Sequence, residues 1–311
     1  MAKKKKELKR VEGKEFFNYK KRRGDRTDGW KVHFNDPTYL VIPHIMPTRA
    51  DAQVFFEEEV DTDALDKFVR KMRRENDEMP ELSRLIVLMA AITRAFSKYP
   101  KINRFCAGKQ VYARNHFCVS LTMKKSMRTD ASDVTIKPFF QPNYTLKQVY
   151  DSFFEVFDGQ KGDDGKGNTM SRFVDLITNI PQWVLKLVVG WARRKNERGG
   201  MPEWLWKLSP FNTSVYVTEI GSTGIGSIYH HIYNFGTTSI FISMGKRQRK
   251  LVLDEEGNPK YINTIVYRYV IDERSCDGFY YAKTVRYISH LLAHPEELLT
   301  PPETVTEDPL Y

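Results

Sequence analysis

Apolar positions along the 311-residue chain change period several times, and each change marks an element. Residues 54–60 read as a strand, and Asp61, Thr62 and Asp63 supply a cap for a helix that carries Leu65, Phe68, Val69 and Met72 on one stripe. Pro80 is expected to open a second helix, through Leu82, Leu85, Ile86, Met89, Ala90 and Phe96, ending at Tyr99-Pro100. Residues 109–113 and 117–123 follow as strands, and 146–157 as a helix. The Gly-Asp stretch 158–168 lacks both the GxxxxGK[ST] of a phosphate loop and the closing Glu of an EF-hand, so it reads as a loop. Residues 180–194 form an apolar helix interrupted by Gly190, followed by Trp204 and Trp206; a core or subunit-interface helix is expected there rather than one lying on a membrane.

The last third alternates as strands over 213–219, 238–244, 251–253 and 261–271. In the final strand Ile265, Tyr267, Tyr269 and Ile271 oppose Val266, Arg268 and Val270, the period of two that a long strand with two different faces requires. It runs into Asp272-Glu273-Arg274-Ser275-Cys276-Asp277-Gly278, and then a helix presents Tyr281, Val285, Ile288 and Leu292 on one face.

Composition narrows the classes. A content of 41% hydrophobic and 13% aromatic residues suffices for one large core. No run approaches the ~18–20 apolar residues of a membrane span, and the N-terminus shows no apolar signal stretch, so a soluble, cytoplasmic protein is expected. Cys106, Cys118 and Cys276 are odd in number and show no paired spacing; buried free thiols are expected rather than disulfides or zinc, and no metal site is predicted. Of the net charge of +10, residues 1–26 carry a surplus of eight, twelve Lys or Arg against four acids, which leaves two for the rest. That excess sits on a tail rather than on a folded face, so a nucleic-acid partner is not expected. The chain accordingly divides into a basic tail over 1–26, one body over 27–297, and an acidic, proline-containing tail over 298–311.

The polar turn 272–278, between a central strand and a buried helix, is a place for chemistry; its plainer role is a connection in which Asp277 caps the helix. Dihydrolipoamide acyltransferases end a strand here with D-H-R-x-x-D/N-G, and chloramphenicol acetyltransferases carry H-H-x-x-x-D-G. Asp272, Arg274, Asp277 and Gly278 match that signature at its spacing. Tyr99-Pro100-Lys101-Ile102-Asn103 resembles the P-x-x-N segment of the same enzymes, Ile220-Gly221-Ser222-Thr223-Gly224 their glycine turn, and the helix closing at His294-Pro295 their last helix. With four segments in order over residues 40–297, the chain resembles the CoA-dependent acyltransferase superfamily.

The resemblance implies an α/β chloramphenicol acetyltransferase-like two-layer sandwich, a mixed sheet covered by helices, assembled as a trimer or a higher assembly of trimers. It implies acyl transfer between coenzyme A, bound as the acyl-CoA substrate, and a small-molecule thiol or hydroxyl acceptor. It places Thr218 at the hydroxyl that steadies the oxyanion, Asp277 within the signature, and Glu273 where the family's general-base histidine stands. Glu273 either serves as the base, its pKa raised by burial, or pairs with an Arg and holds the turn. In the second case the chain is a non-catalytic member with a structural, assembly or ligand-binding role. His230 and His231 are the candidates for an imported base, and as strand neighbours only one of them can face a site; His44 and His116 lie in strand-like surroundings without a visible partner. No lipoyl-like domain with its D-K-A motif is present in the sequence, which argues for a domain standing apart from a full dehydrogenase-complex core subunit.

Overall fold

The computed structural model describes residues 16–17, 19–34, 37–124, 133–161 and 180–308. In chain order these form β1 (Gly29–Lys31), α1 (Thr38–Ile45), β2 (Gln53–Asp61), α2 (Asp63–Glu75), α3 (Arg84–Lys98), β3 (Arg104–Ala107), β4 (Gln110–Arg114), β5 (Phe117–Lys124), β6 (Asp133–Ile136), β7 (Phe139–Phe140), α4 (Leu146–Lys161), α5 (Gln182–Arg198), α6 (Glu203–Leu208), β8 (Val215–Glu219), β9 (Ile240–Leu253), β10 (Pro259–Asp272) and α7 (Gly278–Ala293). Seven strands make the main sheet, in the order β2-β10-β9-β8-β5-β6 with β7 on β5, and β1, β4 and β3 form a small second sheet. β5, β8 and β9 are parallel to one another and the other pairs of the main sheet are antiparallel, so the sheet is mixed as expected.

One face of that sheet is covered by helices. Ile265, Tyr267, Tyr269 and Ile271 of β10, Ile242 and Met244 of β9, and Val215 and Val217 of β8 meet α3, buried from Ile86 through Ser97, together with Val285, Ile288 and Leu292 of α7. The alternation read from residues 265–271 therefore reports which face meets the core. The opposite face carries a smaller cluster, Phe241 and Val270 with Ile232 and Tyr216. No helix among the described residues is long and apolar enough to cross a membrane.

Several boundaries differ from expectation for identifiable reasons. α3 begins at Arg84 rather than Pro80, because the Ser83 side chain caps it by accepting from the Ile86 N–H at 3.4 Å. The strands expected at 238–244 and 251–253 are one strand, β9; beyond a register shift at Ile265/Tyr267 its residues Lys246 to Leu251 are exposed, so no apolar period marks them. Part of the expected loop, residues 158–161, belongs to α4, and the remainder lies outside the described residues.

Neither tail boundary coincides with the packing. Arg26 is buried, its Nε donating to Asp28 at 2.7 Å and its guanidinium 5.2 Å from the Phe105 ring centroid; Phe16 is buried and Tyr19 meets Trp30 edge-on. At the other end Arg104 grips Asp308 through two hydrogen bonds of 2.7 and 2.6 Å, and the Thr306 N–H reaches the Ser97 carbonyl. Residues 16–17, 19–26 and 298–308 thus pack with the body: each segment brings one charge that a buried partner neutralises, and Leu298 and Pro302 are buried.

Candidate functional site

The turn that leaves β10 is built on Asp272. Its carboxylate is fully buried and takes Arg274 side-on, Nε to Oδ1 at 2.8 Å and Nη2 to Oδ2 at 2.7 Å, with the Arg49 Nε 3.8 Å away. Arg49 in turn ties in its neighbours, donating to the Cys106 carbonyl at 2.9 Å and the Asn234 carbonyl at 3.1 Å. Burial pulls the Arg49 pKa down, with Asp272 opposing it; in Arg274 the same burial is outweighed by the Asp272 hydrogen bonds, and its pKa is raised. The Asp272 carbonyl accepts from the Ser275 and Tyr281 hydroxyls, each at 2.6 Å. Two arginines and two hydroxyls therefore fix the turn from below.

Glu273 stands on that base and points away from it. Its N–H donates to the Ala52 carbonyl at 3.0 Å, and its side chain is exposed, with no hydrogen bond or ion pair among the described residues. The arginine that the sequence offered to Glu273 belongs to Asp272 instead. Asp277 caps α7, its Oδ1 accepting from the Tyr280 N–H at 2.9 Å.

Thr218 is elsewhere. It lies beside Ser243, which lies beside Arg268, five residues before Glu273. At about 3.3 Å per residue and 4.8 Å per strand spacing, Thr218 and Glu273 are ~19 Å apart within one chain. The three residues singled out by the sequence are thus two neighbours on one turn and one hydroxyl far from both. Alternation puts Thr218 on the face of Tyr216 and Phe241, and Glu219 on the other.

Past Glu219, residues Gly221–Thr223 form a tight turn closed by Gly224 at φ 81°, and the Glu219 carboxylate accepts from the Ser222 N–H at 2.9 Å. A side chain at Gly221 would lie 2.5 Å from the Gly245 carbonyl oxygen, so the turn needs its glycine. Beside it opens a cleft of about 420 Å³, lined by Ser83 and Arg84 at the start of α3, by Glu219, Gly221 and Ser222, and by Lys246 and Arg247. Asp66 pairs with Arg84 at 2.5 Å and with Arg247 at 3.0 Å, whereas Lys246 has no ion pair among the described residues. Sequence reasoning missed this cleft because its parts come from three distant segments.

His230 and His231 lie in a loop rather than on a strand. The His230 ring stacks on Phe241 at 4.1 Å and on His231 at 4.7 Å, and burial lowers its pKa. His116 is buried against Trp206 at 4.3 Å, with its pKa held well below 6.5 by burial and then by Arg114 and Lys137. His44 is exposed on α1, a helix rather than a strand. The three cysteines are free and buried, the Cys276 thiol being pushed up to about 12 by burial. No cluster of three or more potential metal ligands occurs among the described residues.

No protein-family profile and no curated protein matches the chain. Solved structures do. A probable dihydrolipoamide acetyltransferase from Listeria monocytogenes superposes with a TM-score of 0.53 at 14% identity, over 93% of this chain and 99% of that one. The chain has the fold of the dihydrolipoamide acetyltransferase catalytic cores. The Azotobacter vinelandii dihydrolipoamide acetyltransferase gives a TM-score of 0.53 at 14% identity over 84% of this chain and 88% of that one. The cubic core of the pyruvate dehydrogenase multienzyme complex gives 0.51 at 13% identity with the same coverage. The expected architecture is therefore correct, and the likeness reaches the fold alone.

Proposed function

We propose that the chain transfers an acyl group between coenzyme A and a thiol or hydroxyl acceptor, at a site completed between two protomers of a trimer. The observation that carries this reading is the register of β8, β9 and β10, which sets Thr218 two strands and five residues from Glu273, roughly 19 Å. Thr218 offers a partly exposed hydroxyl and Glu273 an unengaged carboxylate on a braced turn, and one chain keeps them apart. A threefold assembly that sets the turn of one protomer against β8 of the next would join them. The Azotobacter enzyme's catalytic mechanism has been probed at a serine, a histidine and an asparagine four positions after the histidine, and Glu273 and Asp277 keep that spacing.

In this reading Glu273 takes the acceptor's proton as the acceptor attacks the thioester carbonyl. The Thr218 hydroxyl donates to the oxyanion of the tetrahedral intermediate, and collapse expels the CoA thiolate, which recovers the proton. The 420 Å³ cleft suits the phosphates of coenzyme A: Lys246 and the first turn of α3 face it, and Gly221 and Gly245 bring backbone close without side chains. A second reading, a non-catalytic member that keeps the fold and binds an acyl or CoA ligand, is favoured by the capping role of Asp277.

Acetyl-CoA and free CoA should each raise the melting temperature, and Glu273→Gln should abolish transfer to a thiol while keeping that shift; Glu273→His should retain or raise activity. Mixing inactive Glu273→Gln with inactive Thr218→Ala protomers in equal amounts should restore transfer, since about a quarter of all interfaces would carry both native groups. A CoA-induced shift with no transfer by the wild type would select the second reading. Full activity of Glu273→Gln would remove the turn from the site.

A further inference from the structure

α5 is attached to the body by one end. Ala192 and Asn196 are its only buried residues. Asn196 holds the end in place, its Nδ2 donating to the Gly236 carbonyl at 2.8 Å and its Oδ1 accepting from Asn212 at 3.1 Å, while its carbonyl takes Arg26. The turn at Gly108 passes so close that a side chain there would lie 2.1 Å from the Glu197 carbonyl oxygen. The N-terminal half makes no such contact among the described residues. Trp183 is 68% exposed, Leu187 64% and Trp191 47%, and Val188 and Val189 are exposed beside them.

The helix is polar along its length as well as around it. Trp183, Leu187 and Trp191 are spaced by four, which puts them on one outward stripe. Arg193, Arg194, Lys195 and Arg198 fill the last turns, and the single acid, Glu197, is taken by Arg193 at 3.2 Å. With Lys186 the helix carries five cations and one paired anion. An apolar, tryptophan-bearing half followed by a basic half matches the two layers of an anionic membrane surface, acyl boundary and headgroups.

Other occupants fit less well. Two copies of α5 pairing in parallel would set the basic ends against each other, and pairing antiparallel would set Trp183 against the Arg198 end. A nucleic acid offers phosphates to the cations, yet nothing to Leu187, Val188 and Val189.

We propose that α5 docks the protein on anionic lipid, with Trp183, Leu187 and Trp191 in the interfacial layer and Arg193, Arg194, Lys195 and Arg198 on the headgroups. The helix lies on the surface and does not cross it.

The test is co-flotation of the full chain with vesicles of phosphatidylcholine alone or with about 30% phosphatidylglycerol, read together with quenching of tryptophan by brominated lipid. The wild type should float with the anionic vesicles only and be quenched. Trp183→Ser/Trp191→Ser should weaken partition by at least about tenfold, through loss of inserted apolar surface. Arg194→Gln/Arg198→Gln should weaken it by roughly fivefold per charge. These side chains are exposed, so melting curves should match the wild type; Leu187→Glu serves as a second variant should the tryptophan pair disturb folding. Absence of flotation by the wild type would overturn the proposal. So would flotation of the tryptophan variant at wild-type level, which would assign binding to the basic N-terminus. A change in sedimenting mass of that variant without lipid binding would assign the helix to a second copy instead.

Discussion

Replacing Asp272 by Asn tests whether the turn is held by charge. The amide keeps the shape of the carboxylate and removes its charge, leaving Arg274 and Arg49 with side-chain exposures of 4% and 5% and no anion. Breaking a buried pair by removing one partner costs about 3–5 kcal/mol, because the remaining charge stays out of water. With an unfolding entropy of ~2.1 cal/mol/K per residue over this length, ~0.65 kcal/mol/K in all, the melting temperature should fall by about 5–8 °C. Circular dichroism melts at several protein concentrations separate this from loss of an oligomer. Asp272→Asn/Arg274→Met should recover part of the loss, since one stranded cation is gone, and so give a non-additive cycle. Glu273→Gln, next in sequence but exposed and unpaired, should shift stability by less than ~0.5 kcal/mol. A fall below about 1 °C for Asp272→Asn would refute the account of a charge-braced turn.

Other outcomes follow from the same structure. Burial would raise the Asp66 pKa, but hydrogen bonds from Arg84 and Arg247 outweigh it and the net shift is downward. Its contribution is therefore present above about pH 4 and lost as pH falls through the lowered folded value. Asp66→Asn should flatten the acid limb of a stability–pH curve and cost ~1–2 kcal/mol at pH 7, a figure reduced for the half-exposed Arg247. Asp308→Asn should cost about 3–5 kcal/mol in a denaturant titration, since Arg104 would stay buried without its carboxylate. Arg26→Met should strand Asp28, which is fully buried, and lower the melting temperature by a similar amount; a deletion ending at residue 26 should do so as well.

The parts of the fold legible in the sequence are those whose faces differ in polarity. β10 announced itself because Tyr267 and Tyr269 face the core while Arg268 faces Glu57 and Ser227 on the other side. The ribbon half of β9 was opaque, since neither face of Lys246 to Lys250 is buried. α5 misled for a related reason: its apolar content suggested burial, and only Ala192 and Asn196 are buried. Charge was legible in amount and not in use, because which acid meets Arg26, Arg104 or Arg274 depends on the folded path. For the candidate site, Glu273 and Asp277 lie on the one connection that the signature marks, between β10 and α7. That Asp272 would claim both arginines, and that Thr218 would lie far away, required the register of β8, β9 and β10.

The Arg104–Asp308 clasp also bears on how the chain comes off the ribosome. The two residues are 204 apart in sequence, and β10 must find β2, pairing Thr264 with Asp61, at a similar distance. An N-terminal half emerging during synthesis has β2, β5 and β6 with α3 but lacks β8, β9 and β10, so part of its apolar helix waits exposed. The clasp cannot close until Asp308, 204 residues after Arg104, has been made. Closure therefore comes late, slowed by long-range pairing, and the waiting half is the species that a chaperone would be expected to hold.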